Sequence, residues 1–357
     1  MFENVLERYT QKLYNGNVIL IANVYGKTPI LTPDRLCLKA EFFTEAELDY
    51  LLTALKRCKY NVICYFDENK FIKDYLNGNI VNFGKEFLVF NLARNGYGIG
   101  KKSLIPTFCD LNGIKYTASN GYACSFARHK FHINSLLREI GCNSLESYIF
   151  EDSAWLNNKK PFNSNKKFIV KPLCESASQG ITEGNIFNGA ISDIDSFVLD
   201  IYNKLNHVPL LIQEFIEGFE AKTIIIDFDK SYVFDPVGVE IDGKHDLGET
   251  IISEDIAFDY AHSNYNLSSE IDPQIIQQIK EKAWLVYKTI GMQNYGRIDC
   301  RIDNRTKEFY FMDFATMPYF VSDGEMLFAF KKKGYDINSL MNAIINSALI
   351  SKYNYSL

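Results

Sequence analysis

Apolar positions recur along the chain in two periods, and the change from one to the other marks the elements. "NVILIANVY" (17–25) is almost wholly apolar and reads as a buried strand. "TEAELDYLLTALKRC" (44–58) repeats every three to four residues and predicts an amphipathic helix. Thr44 stands as its N-cap with Glu47 three residues on, a capping box. "YNVICYF" (60–66) and "EFLVFNLA" (86–93) are further strands, and this strand–helix–strand order predicts a parallel sheet. "NGYGIGKKSLIPTFCDLNG" (95–113) opens as a glycine-rich turn and continues as a helix. Its glycines suit a phosphate cradle, but a GxG alone is equally an ordinary turn. "SFARHKFHINSLLREIG" (125–141) predicts one helix ending at Gly141. "FIVKPLCESASQGI" (168–181) is a strand running into a small-residue loop, and 208–227 is strand, turn, strand. Residues 242–273 are polar and aperiodic, a length that predicts a functional lid without regular structure. "PQIIQQIKEKAWLVYKTIG" (273–291) is a strong helix, and two more close the chain.

One pair of strands carries an oddity. "GRIDCRI" and "KEFYFMDF" flank the polar run "DNRTK" and predict a hairpin with a loop at 304–308. A regular ladder then pairs Asp303 with Phe309, Arg301 with Phe311, Asp299 with Asp313, and Arg297 with Ala315. Like charges set opposite each other repel, so a cation between the two aspartates is one explanation. An accidental surface pair, or a register slipped by one residue, is the other.

Composition narrows the partners. The chain has 357 residues, 47% hydrophobic and 23% charged, which predicts a globular protein of two or three domains. Net charge is −6 and no basic tract stands out beyond "KKK" at 331–333, so no nucleic-acid partner is expected. The apolar runs are strand-sized and the first residues carry no signal-peptide core, so no membrane association is expected. Eight cysteines and five histidines are scattered without zinc or triad spacing. The cysteines read as reduced thiols of a cytoplasmic protein.

Four blocks in order carry a family likeness: Lys130 in "FARHKF", "FIVKPLCESASQG", "LIQEFIEGFE" and "GRID…FYFMDFATMPYF". Together they resemble an ATP-grasp ligase of the D-alanine–D-alanine ligase branch, most strongly over 115–345. The resemblance implies a three-domain fold of α/β and α+β parts with ATP between the central and C-terminal lobes. It implies an N-terminal α/β domain at 1–115, a central lid domain at 116–207 and a catalytic domain at 208–357. Lys130 and Lys171 are implied to face phosphate oxygens, as ammonium point charges do well. Glu175, Ser176 and Ser178 are implied to form a phosphate loop, where small residues let backbone N–H groups come close. Gln213 would meet the adenine amino group, the backbone of Phe215 and Ile216 its edge, and Glu220 the ribose hydroxyls. Asp299 and Asp313 would hold Mg²⁺, and Arg297 would stabilise the acyl phosphate and tetrahedral intermediate. Without the resemblance, Lys171 is a strand-end lysine, Lys130 a helix lysine, and Gln213 and Glu220 ordinary polar positions.

The likeness has gaps. The family's Gly-Ser-Ser is here Ser176-Ala177-Ser178, without the middle hydroxyl that helps close the lid. Its Glu-x-Asn is Asp313 and Ala315, so one metal ligand is missing. On the substrate side, Tyr319 replaces a glycine, and Gly324 stands where a serine would hold the acceptor carboxylate, between Asp323 and Glu325. The acid for the donor's ammonium falls near Phe42, with Glu41 beside it, and Asn264-Tyr265 replaces the lid's Lys-Tyr. The resemblance therefore implies an ATP- and Mg²⁺-dependent carboxylate–amine ligase acting on small molecules, compatible with a homodimer. A D-alanine–D-alanine ligase with an altered substrate site and a non-catalytic nucleotide-binding protein are the alternatives.

Overall fold

The structure is a computed structural model describing residues 3–30, 41–80, 86–96, 98–161, 165–259 and 261–350. Three sheets follow one another along the chain. The first is parallel: β1 (Asn17–Ala22), β2 (Asn61–Tyr65), β3 (Phe87–Leu92) and β4 (Lys115–Tyr116) lie in the order β2-β1-β3-β4. Val18, Leu20 and Ala22 of β1 pack with the helix Glu45–Arg57 and the last helix, Ile337–Ile350. Ile19 and Ile21 pack on the other side with Phe71, Ile105 and Cys109. Burial on both faces explains why "NVILIA" has no polar alternation. The capping box is present, with the Glu47 N–H donating to Thr44 Oγ1 at 3.2 Å and the Thr44 N–H to Glu47 at 2.7 Å.

The second sheet is antiparallel: β5 (Ser147–Glu151), β6 (Ala154–Trp155), β7 (Lys167–Pro172), β8 (Ile186–Asn188) and β9 (Leu210–Glu214), in the order β6-β5-β9-β7-β8. β9 is its central strand, bonded to both β5 and β7. Residues 210–214 therefore pair within the second sheet, and the chain leaves it at Glu214.

The third sheet holds β10 (Gly218–Asp227), β11 (Ser231–Val233), β12 (Val237–Glu240), β13 (Ser263–Asn266), β14 (Tyr295–Asp303) and β15 (Phe309–Ala315). Its order is β13-β12-β10-β14-β15, with β11 on β10. The helix Pro273–Ile290 covers one face through Ile279, Ala283, Val286 and Tyr287. It ends at Gly291, whose φ of 78° is the left-handed conformation that glycine adopts without strain.

Two expectations need correction. The single helix over 125–141 is two, Gly121–Phe126 and Lys130–Glu139. His129 sits between them with non-helical backbone and accepts the His132 N–H on its own ring nitrogen, so it caps the second helix. The stretch 242–273 is not structureless: it contains the helix Glu254–Phe258, capped by Ser253, and β13. β13 lies against β12 with Tyr265 opposite Gly238, where a Cβ would come within 2.3 Å of the tyrosine ring. Among the described residues no helix is long and apolar enough to cross a membrane, and the seven described cysteines are free.

Candidate active site

Alternation builds a charged row on one face of the third sheet. In "GFEAKTIIID" it sends Glu220 and Lys222 one way, while Ala221 and Ile225 join the core under the helix Pro273–Ile290. Pairing with β14 sets Glu220 opposite Arg301, Lys222 opposite Asp299 and Ile224 opposite Arg297. β15 adds Asp313 opposite Asp299, and Ala315 opposite Arg297. The aspartates thus face each other as the hairpin reading expected.

Nearer the loop the register differs from that reading. Phe311 pairs with Cys300, Tyr310 with Arg301 and Phe309 with Ile302, because the ladder shifts by one between Asp299 and Cys300. Met312 is the extra residue of a β-bulge. In a regular strand residues 311 and 313 would share a face. The bulge lets Phe311 enter the core while Asp313 stays with the charges, a placement bulges commonly provide beside functional sites.

Arg297 is gripped from two sides. Its Nε and Nη2 donate to the two oxygens of Asp299, each at 2.7 Å, and its Nη1 donates to Glu325 at 2.5 Å. Against the cost of burial, Arg297 and Lys222 hold Glu325 down at about 2. Burial pushes Asp299 up to about 6, against the pull of Arg297 and Lys222, so it is ionised at neutral pH. Asp313 is held below its usual value, because Lys130, Arg297 and Lys171 outweigh its burial.

Those two lysines come from the helix Lys130–Glu139 and from β7. Lys171 lies on β7, 8% exposed, and burial and Lys130 push it down to about 7. Lys130 opens its helix and donates to the backbone oxygens of Pro172 at 3.4 Å and of Glu175. The loop beyond carries left-handed backbone at Ala177, Ser178 and Gly180, with φ of 56°, 54° and 69°. Glu254 of the lid accepts the Gly180 N–H at 2.9 Å, and the Glu254 N–H donates to Ile181 O at 2.9 Å. The segment at Glu254 is therefore fastened to this loop without the hydroxyl that Ala177 lacks.

The side toward β9 is more apolar. Ile169 pairs with Gln213 across β7 and β9, and Ile169, Phe215 and Ile251 form an apolar cluster. Gln213 is buried and donates to Ser147 at 3.3 Å. Ile216 is buried next to Phe215, and Arg301 lies 5.0 Å over the Phe215 ring. Glu220 is 3.8 Å from Arg301. Arg301 also donates to the backbone oxygens of Gly218, Gly248 and Thr250, tying the lid's base to β14.

The expected substrate residues scatter. Asp323 is exposed and accepts from Ser322, while its backbone oxygen takes Asn264 at 2.7 Å. Gly324 caps the helix Glu325–Lys331 with no side-chain bond of its own. Tyr319 packs under the Arg94 guanidinium, 4.0 Å from its ring centre, and against Phe43. Glu41 is buried among Lys101, Lys102 and Arg128, and both its oxygens are engaged. Several residues escaped the sequence reading. Lys222 was legible from its period-two spacing with Glu220; Lys101, Lys102 and Arg128 gave no such signal. His262, in the lid, faces Lys222, Glu325 and Arg297, and burial pushes it down to about 4, so it is neutral at pH 7.

The family model described as the D-ala D-ala ligase C-terminus matches residues 136–346. A D-alanine–D-alanine ligase of Petrotoga mobilis is 24% identical over 312 residues, 84% of this chain and 94% of that protein. One from Borrelia garinii subsp. bavariensis is 25% identical over 66% of this chain, and the match spans only 63% of its own length. Among solved structures, the Bacillus anthracis D-alanine–D-alanine ligase complexed with ATP superposes with a TM-score of 0.69 at 14% identity, covering 94% of this chain and 97% of that one. The VanG D-Ala:D-Ser ligase of Enterococcus faecalis gives 0.63 at 16% identity, covering 94% of this chain and 100% of that one. These likenesses carry the ATP-grasp architecture.

Proposed function

Because this chain belongs to the D-alanine–D-alanine ligase family, we propose that it is an ATP-dependent carboxylate–amine ligase. ATP would lie between the second and third sheets. Its adenine would occupy the apolar cluster of Ile169, Phe215 and Ile251 beside Gln213, with Glu220 near the ribose. Its phosphates would meet Lys130, Lys171 and the loop from Glu175 to Gly180, through ammonium groups and close backbone N–H groups. The observation that carries this reading is that Asp313 on β15 lies within electrostatic reach of Lys130, of Lys171 on β7 and of Arg297 on β14.

The donor set there suits a hard cation that shares phosphate oxygens. Asp313 offers a carboxylate not consumed by an arginine, whereas Asp299 gives both oxygens to Arg297 and Ala315 offers none. Mg²⁺ held by Asp313, with Asp299 beside it, would neutralise charge on the transferring phosphoryl group. The chain's own residues do the rest. Lys130 and Lys171 orient the γ-phosphoryl group toward the substrate carboxylate. The carboxylate oxygen attacks phosphorus, ADP leaves, and an acyl phosphate forms. Arg297, preorganised by Asp299 and Glu325, faces the negative charge that gathers when the amine attacks the acyl carbon. The amide bond forms as phosphate departs, and the amine's proton leaves to solvent or to a neutral base in the lid.

Gly324 and Tyr319 argue against plain D-alanine as both substrates. The missing donor at Ala315 keeps a non-catalytic nucleotide-binding protein as the other alternative. ADP release in a screen of paired carboxylates and amines decides between them. Release that depends on both partners supports the ligase, robust dipeptide from D-alanine alone supports a D-alanine–D-alanine ligase with an altered substrate site, and tight MgATP binding without turnover on any pair leaves a nucleotide-binding protein.

A further inference from the structure

Lys130 takes the backbone oxygen of Glu175, but the side chains of Glu175 and Ser176 turn to a second group of charges. Glu41 precedes the helix Glu45–Arg57, Lys101 and Lys102 follow the glycine-rich turn, and Arg128 stands in the break between two helices. Lys101 binds Glu41 and reaches Glu175 at 3.0 Å. Lys102 donates to Ser176 at 2.9 Å and lies 3.5 Å from Glu41. Arg128 donates to Ser176 and to Glu175, each at 3.2 Å, and Ser176 donates to Glu41 at 2.6 Å.

Three cations here face two carboxylates, in a place nearly closed to water. A buried charge without a full counter-charge is costly and calls for an anion. The Arg128 Nε is buried and has no partner among the described residues. Burial pushes Lys102 down to about 7, and Arg128, Arg94 and Lys101 push the same way against Glu41. Glu175 is the loosest member: its side chain is 25% exposed, against 1% for Glu41 and 5% for Arg128. It also hangs on the loop whose next residues are left-handed. An incoming carboxylate could displace it toward solvent and lie among Lys101, Lys102 and Arg128.

We propose that Lys101, Lys102 and Arg128, gathered around Ser176, bind a second anionic group on the carboxylate substrate, so that the acid activated is a dicarboxylic acid. This rests on the ligase reading. The carboxylate that reacts must reach the phosphate near Lys130, Lys171 and Asp313; the group bound here is the other end of the same molecule. A zwitterion such as an α-amino acid would instead bring its ammonium against three cations, with both oxygens of Glu41 already taken.

The test is calorimetric, on the full chain saturated with Mg²⁺ and a non-hydrolysable ATP analogue. Malonate, succinate, glutarate and adipate are each titrated against their own monoamides. At least one diacid should bind tenfold or more tightly than its monoamide. Because the anion returns a proton to Lys102, binding at pH 8 should take up protons, seen as a heat that varies with buffer ionisation enthalpy. Lys102→Met should abolish both the preference and the uptake, Arg128→Met should abolish the preference, and Glu175→Gln should tighten the diacid. If Lys102→Met does not fold, Arg128→Met and Glu175→Gln carry the test. Four diacids bound no more tightly than their monoamides, or a preference unchanged in the folded variants, overturns the subsite. The nucleotide analogue is titrated first: if it does not bind, the ligase reading itself falls, and the subsite with it.

Discussion

Glu325→Gln isolates the charge that steadies Arg297. Glutamine is the neutral counterpart of a protonated glutamate, so the shift of the Glu325 carboxyl measures what its ionisation contributes. Folding takes that carboxyl from an ordinary 4.5 to about 2, against its burial, through Arg297 and Lys222. At about 1.36 kcal/mol per unit, the substitution should cost about 3 kcal/mol. Arg297 keeps both oxygens of Asp299, so the cost stays at the low end of the roughly 3–5 kcal/mol for breaking a buried pair. The sign of the pH dependence is fixed. A carboxyl lowered on folding stabilises fully above its unfolded value of 4.5, and the benefit is lost as pH falls toward about 2. Urea unfolding of both proteins, followed by far-ultraviolet circular dichroism, should show the gap at pH 7 and a narrowing gap below pH 4.5. A difference under about 0.5 kcal/mol at pH 7, the scale of an ordinary surface change, would refute the paired network. A gap that stays constant down to pH 3 would refute the linkage.

Two further substitutions probe the phosphate side. Lys171→Ala should weaken MgATP binding by about 10- to 150-fold, since a charge-assisted hydrogen bond contributes roughly 1.5–3 kcal/mol; unchanged affinity in a folded variant removes this lysine from the site. Asp313→Asn keeps the volume and deletes the charge, so the Mg²⁺ needed for ADP release should rise; an unaltered Mg²⁺ dependence would make the paired acids structural.

The sequence showed most of the scaffold because period and punctuation are local. The Thr44–Glu47 box, the Pro273 and Gly291 helix ends and the apolar runs of β1 and β3 all declare themselves within a dozen residues. The helix break at Ala127–His129 did not, because "SFARHKF" keeps an apolar rhythm across it and only the loop at 173–176 explains why the chain turns. The same limit applied to the site. Lys130, Lys171 and Asp313 sit in recognisable blocks. The ring around Glu41 joins residues 41, 101, 102, 128 and 175, and nothing in any one segment announces the others. β9 is a related case: it abuts β10 in sequence but its hydrogen bonds run to β5 and β7.

The bulge at Met312 gives the sharpest test of how the hairpin serves the site. A regular ladder cannot put Phe311 in the core and Asp313 among the charges, since residues two apart share a face. Deleting Met312 would leave Phe311 and Asp313 adjacent, opposite Cys300 and Asp299, so every other pair keeps its partner and every side chain its face. The deletion should therefore fold, losing no more than about 1–2 kcal/mol for one partly buried methionine. What it removes is the local bend and extra twist a bulge imposes, and with them the aim of Asp313 toward Lys130 and Lys171. Urea unfolding should change modestly while the Mg²⁺ requirement for ADP release rises about as much as in Asp313→Asn. If the deletion variant fails to fold, the bulge is needed for the sheet itself. If it folds and keeps the wild-type Mg²⁺ dependence, the bulge does not aim Asp313, and the face-splitting argument loses its functional half.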